Sequence, residues 1–115
     1  MKNLEAIRFR YLKDDLSIRL GGLAANMARI ASFSEHTANW NAVNRLLEES
    51  KFFIEWLVPD APPELQEKLV DLQIQISVWH LKLLENNDNS GTRKKMADQF
   101  RIWSNEVLSV SGLSK

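Results

Sequence analysis

Apolar residues along this chain recur at steps of three and four, the period of one helix face, in four stretches. The first runs from about Leu4 to Ser34, with Phe9, Leu12, Leu16, Leu20, Leu23, Met27 and Ile30 in one seam. The second runs from about Ala38 to Val58. Trp40, Val43, Leu47, Ile54 and Leu57 share a face, Leu46 and Phe53 lie beside them, and Ser50 interrupts the seam. The third opens at Pro62 or Pro63, where proline suits the first helical turn, with Asp60 as a candidate cap. Its seam is Leu65, Leu69, Leu72, Ile76, Trp79 and Leu83. The fourth runs from about Thr92 to Val110 through Met96, Phe100, Trp103, Val107 and Val110, and Gly112 is a suitable stop. No period-two alternation and no Asn-Gly or Asp-Gly turn is present, so strands are not expected.

Short connections between long helices make neighbours antiparallel. The pattern therefore predicts an all-α fold, an up-down-up-down four-helix bundle, with residues 1–115 as one domain. A first helix of about 30 residues would be about 45 Å long at 1.5 Å per residue. It must overhang the others or break near Asp14-Asp15, leaving a short N-terminal helix. The polar run from Asn86 to Gly91 reads as a loop. The expected core comprises Leu16, Leu20, Leu23, Met27, Val43, Leu47, Ile54, Leu65, Leu69, Leu72, Ile76, Trp79, Met96, Phe100, Trp103 and Val107.

Three of the helices are apolar on a second side. At about 100° per residue, Val70, Ile74, Val78 and Leu81 form a stripe about half a turn from the third helix's seam. In the first helix Ile7, Tyr11 and Ile18 continue into Gly21, Ala25, Ala28 and Ser32, a smooth small-residue face. Glycine inside a helix costs about 1 kcal/mol relative to alanine, so Gly21 and Gly22 suggest close approach of another backbone. In the second helix Phe52 and Trp56 form an i, i+4 pair opposite Val43 and Leu47. A two-faced helix is either central in a fold or covered by another chain. Four helices cannot cover the backs of three of their own. The expected interface is thus Val70, Ile74, Val78, Leu81, Phe52, Trp56, Ile18 and Ala25, used in a homodimer or by another protein partner. The competing arrangement lays the N-terminal segment Leu4–Tyr11 over the Val70–Leu81 ridge within one chain.

Composition narrows the chemistry. The chain has 15 basic and 15 acidic residues and a formal net charge of zero, with both signs in each half, so no domain-wide field steers nucleic acid or an anionic membrane. Arg8, Arg10 and Lys13 fall near the start of the first helix and Arg93, Lys94 and Lys95 at the start of the fourth. An up-down topology puts these clusters at opposite ends, so no specific nucleic-acid affinity is expected. With no cysteine, disulfides, thiolate metal sites and cysteine nucleophiles are excluded. No apolar run approaches the ~20 residues of a membrane span, and the N-terminal residues lack a signal-peptide core. The cytoplasm is the expected compartment.

Catalytic and cofactor templates find no match. There is no glycine-rich phosphate loop, no His-Glu-x-x-His or Glu-x-x-His, and no Gly-x-Ser-x-Gly. No catalytic, cofactor or metal site is assigned. His80 invites comparison with phosphotransfer bundles, which expose a histidine followed by x-x-Lys-Gly. Here it begins His80-Leu81-Lys82-Leu83-Leu84, and the plainer reading is a boundary histidine with one wet edge. Arg29 and His36, six residues between them, resemble the Arg-x4-6-His pair of HEPN-type ribonucleases. That resemblance would give His36 proton transfer and Arg29 a phosphate contact. The chain departs from the pattern in placing Ile30 directly after Arg29 and in setting the pair at the end of the first helix. The leading expectation is a non-enzymatic, self-associating helical interaction protein. A nucleic-acid-acting module using Arg29 and His36 is the alternative.

Overall fold

The computed structural model describes residues 3–35, 39–86 and 89–112, and every regular element among them is helical. Helix α1 spans Leu4–Lys13, α2 Leu16–Phe33 and α3 Trp40–Leu57. A 3-10 turn, Val58–Asp60, leads into α4, Pro63–Asn86, and α5 spans Ser90–Ser111. Among the described residues there are five α-helices where the hydrophobic pattern suggested four, because the first stretch breaks at the aspartate pair. Asp14 (φ −82°, ψ 153°) and Asp15 (φ −61°, ψ 157°) are both extended. Aspartate is a poor helix former, and Asp15 occupies the N-cap position of α2 without a side-chain cap bond. A carboxylate before α2 is also favoured by the positive end of that helix's dipole.

The break resets the register. Phe9 and Leu12 do not continue the α2 seam: Phe9 is 63 % exposed, and Leu12 is also exposed. The buried side of α1 is Leu4, Ile7 and Tyr11, spaced three and four apart, with Tyr11 fully enclosed. Its ring stacks on Phe53 of α3 at 4.0 Å and 7°, and lies 5.9 Å from Trp56. Its hydroxyl donates to the Arg19 carbonyl at 2.7 Å, and burial pushes its pKa up, keeping the phenol protonated. A Cβ on Gly22 would stand 3.7 Å from the Tyr11 ring, an ordinary contact, so the neighbour at this glycine is a side chain of α1 in the same chain.

Helix α2 is the centre of the molecule. It lies along α5 on one side and α3 on the other, while α4 packs on α3 and touches α5 lightly. Leu20, Leu23, Met27 and Ile30 are buried as the seam predicted. The small-residue face is used one position earlier than its sequence pattern suggested. Ala24 and Ala31 are buried, whereas Ala25, Ala28 and Ser32 are exposed. Opposite them α5 buries Ala97, Ser104 and Ser111, and the Ser104 hydroxyl donates to the Ala24 carbonyl at 2.7 Å. On α3, Ser50 is fully buried, so the seam passes through it without a gap. Of the expected core, Leu16, Leu65, Trp79 and Trp103 are only partly buried, and the rest are enclosed.

Two buried polar residues on α2 fasten the connections. Arg19 donates through Nη1 to Asp60 Oδ2 at 3.0 Å, joining the start of α2 to the turn before α4. Asp60 thus serves Arg19 as a counter-ion from within the 3-10 turn. Asn26 donates to Glu49 on α3 at 3.0 Å and accepts from Arg29 at 2.5 Å. Helix α5 carries a side-chain cap: Asn89 Oδ1 accepts from the Thr92 backbone N–H at 3.0 Å. It ends at Gly112, in the left-handed region at φ 82°.

Tyr11→Ala should lower stability by about 3 kcal/mol, the low end for truncating a buried aromatic. Phe9→Ala, two positions earlier on the wet side, should change it by less than about 0.5 kcal/mol. Urea unfolding followed by tryptophan fluorescence checks both. Equal effects would mean that α1 does not dock as described.

Candidate interaction surface

Helix α4 has two apolar sides, and one of them is covered. Leu69, Leu72, Ile76 and Leu83 are buried. Val70, Ile74, Val78 and Leu81, the ridge singled out by its spacing, are between 42 and 59 % exposed, and exposed Leu84 extends it. From Val70 to Leu84 the ridge runs about 21 Å at 1.5 Å per residue. The N-terminal segment does not lie over it, because α1 is docked on α3 through Tyr11, Phe53 and Trp56.

The other expected interface residues do not join this ridge into one patch. Trp56 is buried within the chain at the Tyr11 cluster, which removes it from any outward face. The aromatic pair at its back has become part of the α1 docking site. Phe52 is half-buried, its ring 5.7 Å from that of Trp56. Ile18 and Ala25 are exposed, but on α2, which barely touches α4.

At the middle of the ridge Lys51, Gln73, Ile74, Ser77, Val78 and Leu81 line an open depression of about 430 Å³. Lys51 comes from α3, and Gln73 donates to the Lys51 carbonyl at 3.1 Å. Behind the depression His80 is buried between α4 and α3. Lys51 Nζ lies 2.9 Å from His80 Nδ1, and His80 Nε2 lies 2.5 Å from Asn44 Oδ1. An ammonium can only donate, so Nδ1 accepts from Lys51. Nε2 therefore carries the imidazole proton and donates to Asn44. Burial first, and the Lys51 charge second, hold the His80 pKa below its ordinary 6.5, with Glu48 opposing them. His80 is thus a neutral, doubly hydrogen-bonded joint between two helices. A phosphoacceptor role is disfavoured, since both ring nitrogens are already engaged. Sequence reasoning placed His80 at the boundary but missed Lys51 and Asn44, because their partnership depends on the rotation of α3 against α4.

A second concavity lies elsewhere, where α4 and α5 pack only lightly. It has a volume of about 660 Å³ and is floored by Leu20, Leu65, Leu69, Leu72, Trp103 and Val107, with Lys68, Asp71 and Glu106 at its rim. Trp103, expected in the core, is half-buried there, edge-on to Phe100 at 5.1 Å. Light packing between α4 and α5 leaves it open, which no single-helix pattern could reveal.

Arg29 is exposed and tied to Asn26, while its proposed companion His36 falls outside the described residues. Of the second basic cluster, Lys94 pairs with Asp98 at 3.7 Å, and Asp98 also faces Arg101, which reaches Glu35 at 3.0 Å. Among the described residues no three His, Asp or Glu side chains are placed to hold a metal ion. No helix among them is long and apolar enough to cross a membrane. No protein-family model, curated protein or solved structure matches the chain.

The His80 joint makes stability depend on pH in a defined direction. With the folded pKa depressed, the unfolded chain takes the proton first as pH falls through about 6.5. Stability is therefore complete above that value and declines below it. The melting temperature should fall between about pH 7.5 and pH 5.5, and by less in His80→Gln. An equal fall in both proteins would place the acid sensitivity elsewhere.

Proposed function

We propose that the protein is a non-enzymatic helical interaction module that forms a homodimer through the outer ridge of α4. In this reading α2, α3, α4 and α5 make the up-down-up-down bundle, α1 clasps its side, and the module works in the cytoplasm. The observation that carries the proposal is the row Val70, Ile74, Val78, Leu81 and Leu84, left exposed while the N-terminal helix docks on α3.

Covering a Val, Leu or Ile side chain contributes about 1.5–3 kcal/mol. A chain of zero net charge has little long-range repulsion to keep such ridges apart. A two-fold contact suits the geometry, because one straight ridge can meet its own copy across an axis. A stable complex covers about 800 Å² per partner. The contact would therefore extend from the ridge onto flanking residues such as Gln73 and Ser77. Self-association needs no cofactor or metal.

Light scattering at micromolar concentration should give the mass of a dimer for the wild-type protein and of a monomer for Ile74→Glu/Val78→Glu, with the helical circular dichroism of both alike. A wild-type monomer would refute the proposal. An unfolded double variant would indicate that the ridge is needed inside the chain, and Ile74→Gln then serves as the milder probe.

A further inference from the structure

The depression on the ridge and the buried histidine behind it share Lys51. Its Nζ is 2.9 Å from His80 Nδ1, and its side chain lines the same hollow as Ile74, Val78 and Leu81. While the imidazole is neutral, Nδ1 offers a lone pair that holds the ammonium back from the ridge. A proton on Nδ1 removes that lone pair and sets two cationic donors against each other. The charged groups acting on the imidazole, Lys51 and Glu48, both come from α3. Asn44 Oδ1 holds Nε2 from the same helix at 2.5 Å. The imidazole therefore cannot turn away without breaking that second bond, and the mobile member of the triangle is the half-buried lysine. The hollow that its side chain already lines is open to the ammonium.

We propose that Asn44, His80 and Lys51 form an acid-sensitive latch on the α4 ridge: protonation of His80 releases the Lys51 ammonium into the apolar hollow and weakens self-association. The inference rests on the homodimer reading above and adds its regulation. Covering an ammonium among Ile74, Val78 and Leu81 without a partner is unfavourable, so the dimer prefers the neutral imidazole and acid favours the monomer. A proton coupled to association by one pKa unit changes the equilibrium tenfold.

Sedimentation equilibrium at about pH 7.5 and pH 5.5 tests the latch. The wild-type dissociation constant should rise about tenfold in acid, while those of His80→Gln and Lys51→Met should change less than about twofold, circular dichroism confirming that each is folded. Wild-type association independent of pH overturns the proposal, and so does a Lys51→Met variant as acid-sensitive as the parent. If the wild type is a monomer at both pH values, the dimer reading fails by itself. NMR then decides the latch: the Lys51 side-chain resonances should titrate with the His80 midpoint and lose that titration in His80→Gln. Lysine resonances blind to His80 would refute it.

Discussion

The arrangement turns on one helix, α2, which packs against both α3 and α5. Its seam of Leu20, Leu23, Met27 and Ile30 is completely buried, and Ala24 and Ala31 keep the neighbouring side smooth enough for α5 to press against it. Asn26 and Arg19, both buried on the same helix, reach Glu49 and Asp60 and so fix α3 and the turn into α4. A buried guanidinium is costly unless paired, which makes the Asp60 contact a constraint on where α4 can begin. With α2 occupied by α3 and α5, α4 packs chiefly on α3 and keeps one side in solvent.

The aspartate pair determines which surface α1 covers. An uninterrupted helix would carry Phe9 and Leu12 on beyond the other helices along the α2 seam. The two extended residues turn the chain back and bring Tyr11 onto Phe53 and Trp56. This closes the aromatic back of α3 and leaves the ridge of α4 open. The ridge is therefore a consequence of how the N-terminal helix is used, since the same helix docked elsewhere would hide it. The His80 joint lies directly behind the open face, so the chemistry of that joint and the shape of the ridge are linked through Lys51.

Much of this was legible in the residues. Steps of three and four marked the helices, Pro63 and Gly112 their ends, and the Val70–Leu81 spacing the exposed ridge. What the periodicity missed depends on relations between helices. Leu4, Ile7 and Tyr11 make a short seam of their own, hidden when the stretch is read as one helix across Asp14-Asp15. Trp56 looked outward because its cover comes from another helix. The half-exposure of Trp103 and the groove beside it follow from the light packing of α4 and α5, a property of neither helix alone. Arg19 and Asn26 gave no sequence signal as buried groups, because polar residues on a helix ordinarily face water and their partners lie 41 and 23 positions away.

The central claim is that the α4 ridge, and not the α1 face, is where two copies meet. The absence of cysteine from the chain allows a direct measurement. Ile74→Cys and Phe9→Cys each introduce one thiol at an exposed apolar position, and mild oxidation followed by non-reducing electrophoresis reports which thiols lie beside their own copy. The account predicts rapid formation of a covalent dimer by Ile74→Cys and none beyond random collision by Phe9→Cys. Equal rates, or faster cross-linking at Phe9, would contradict it.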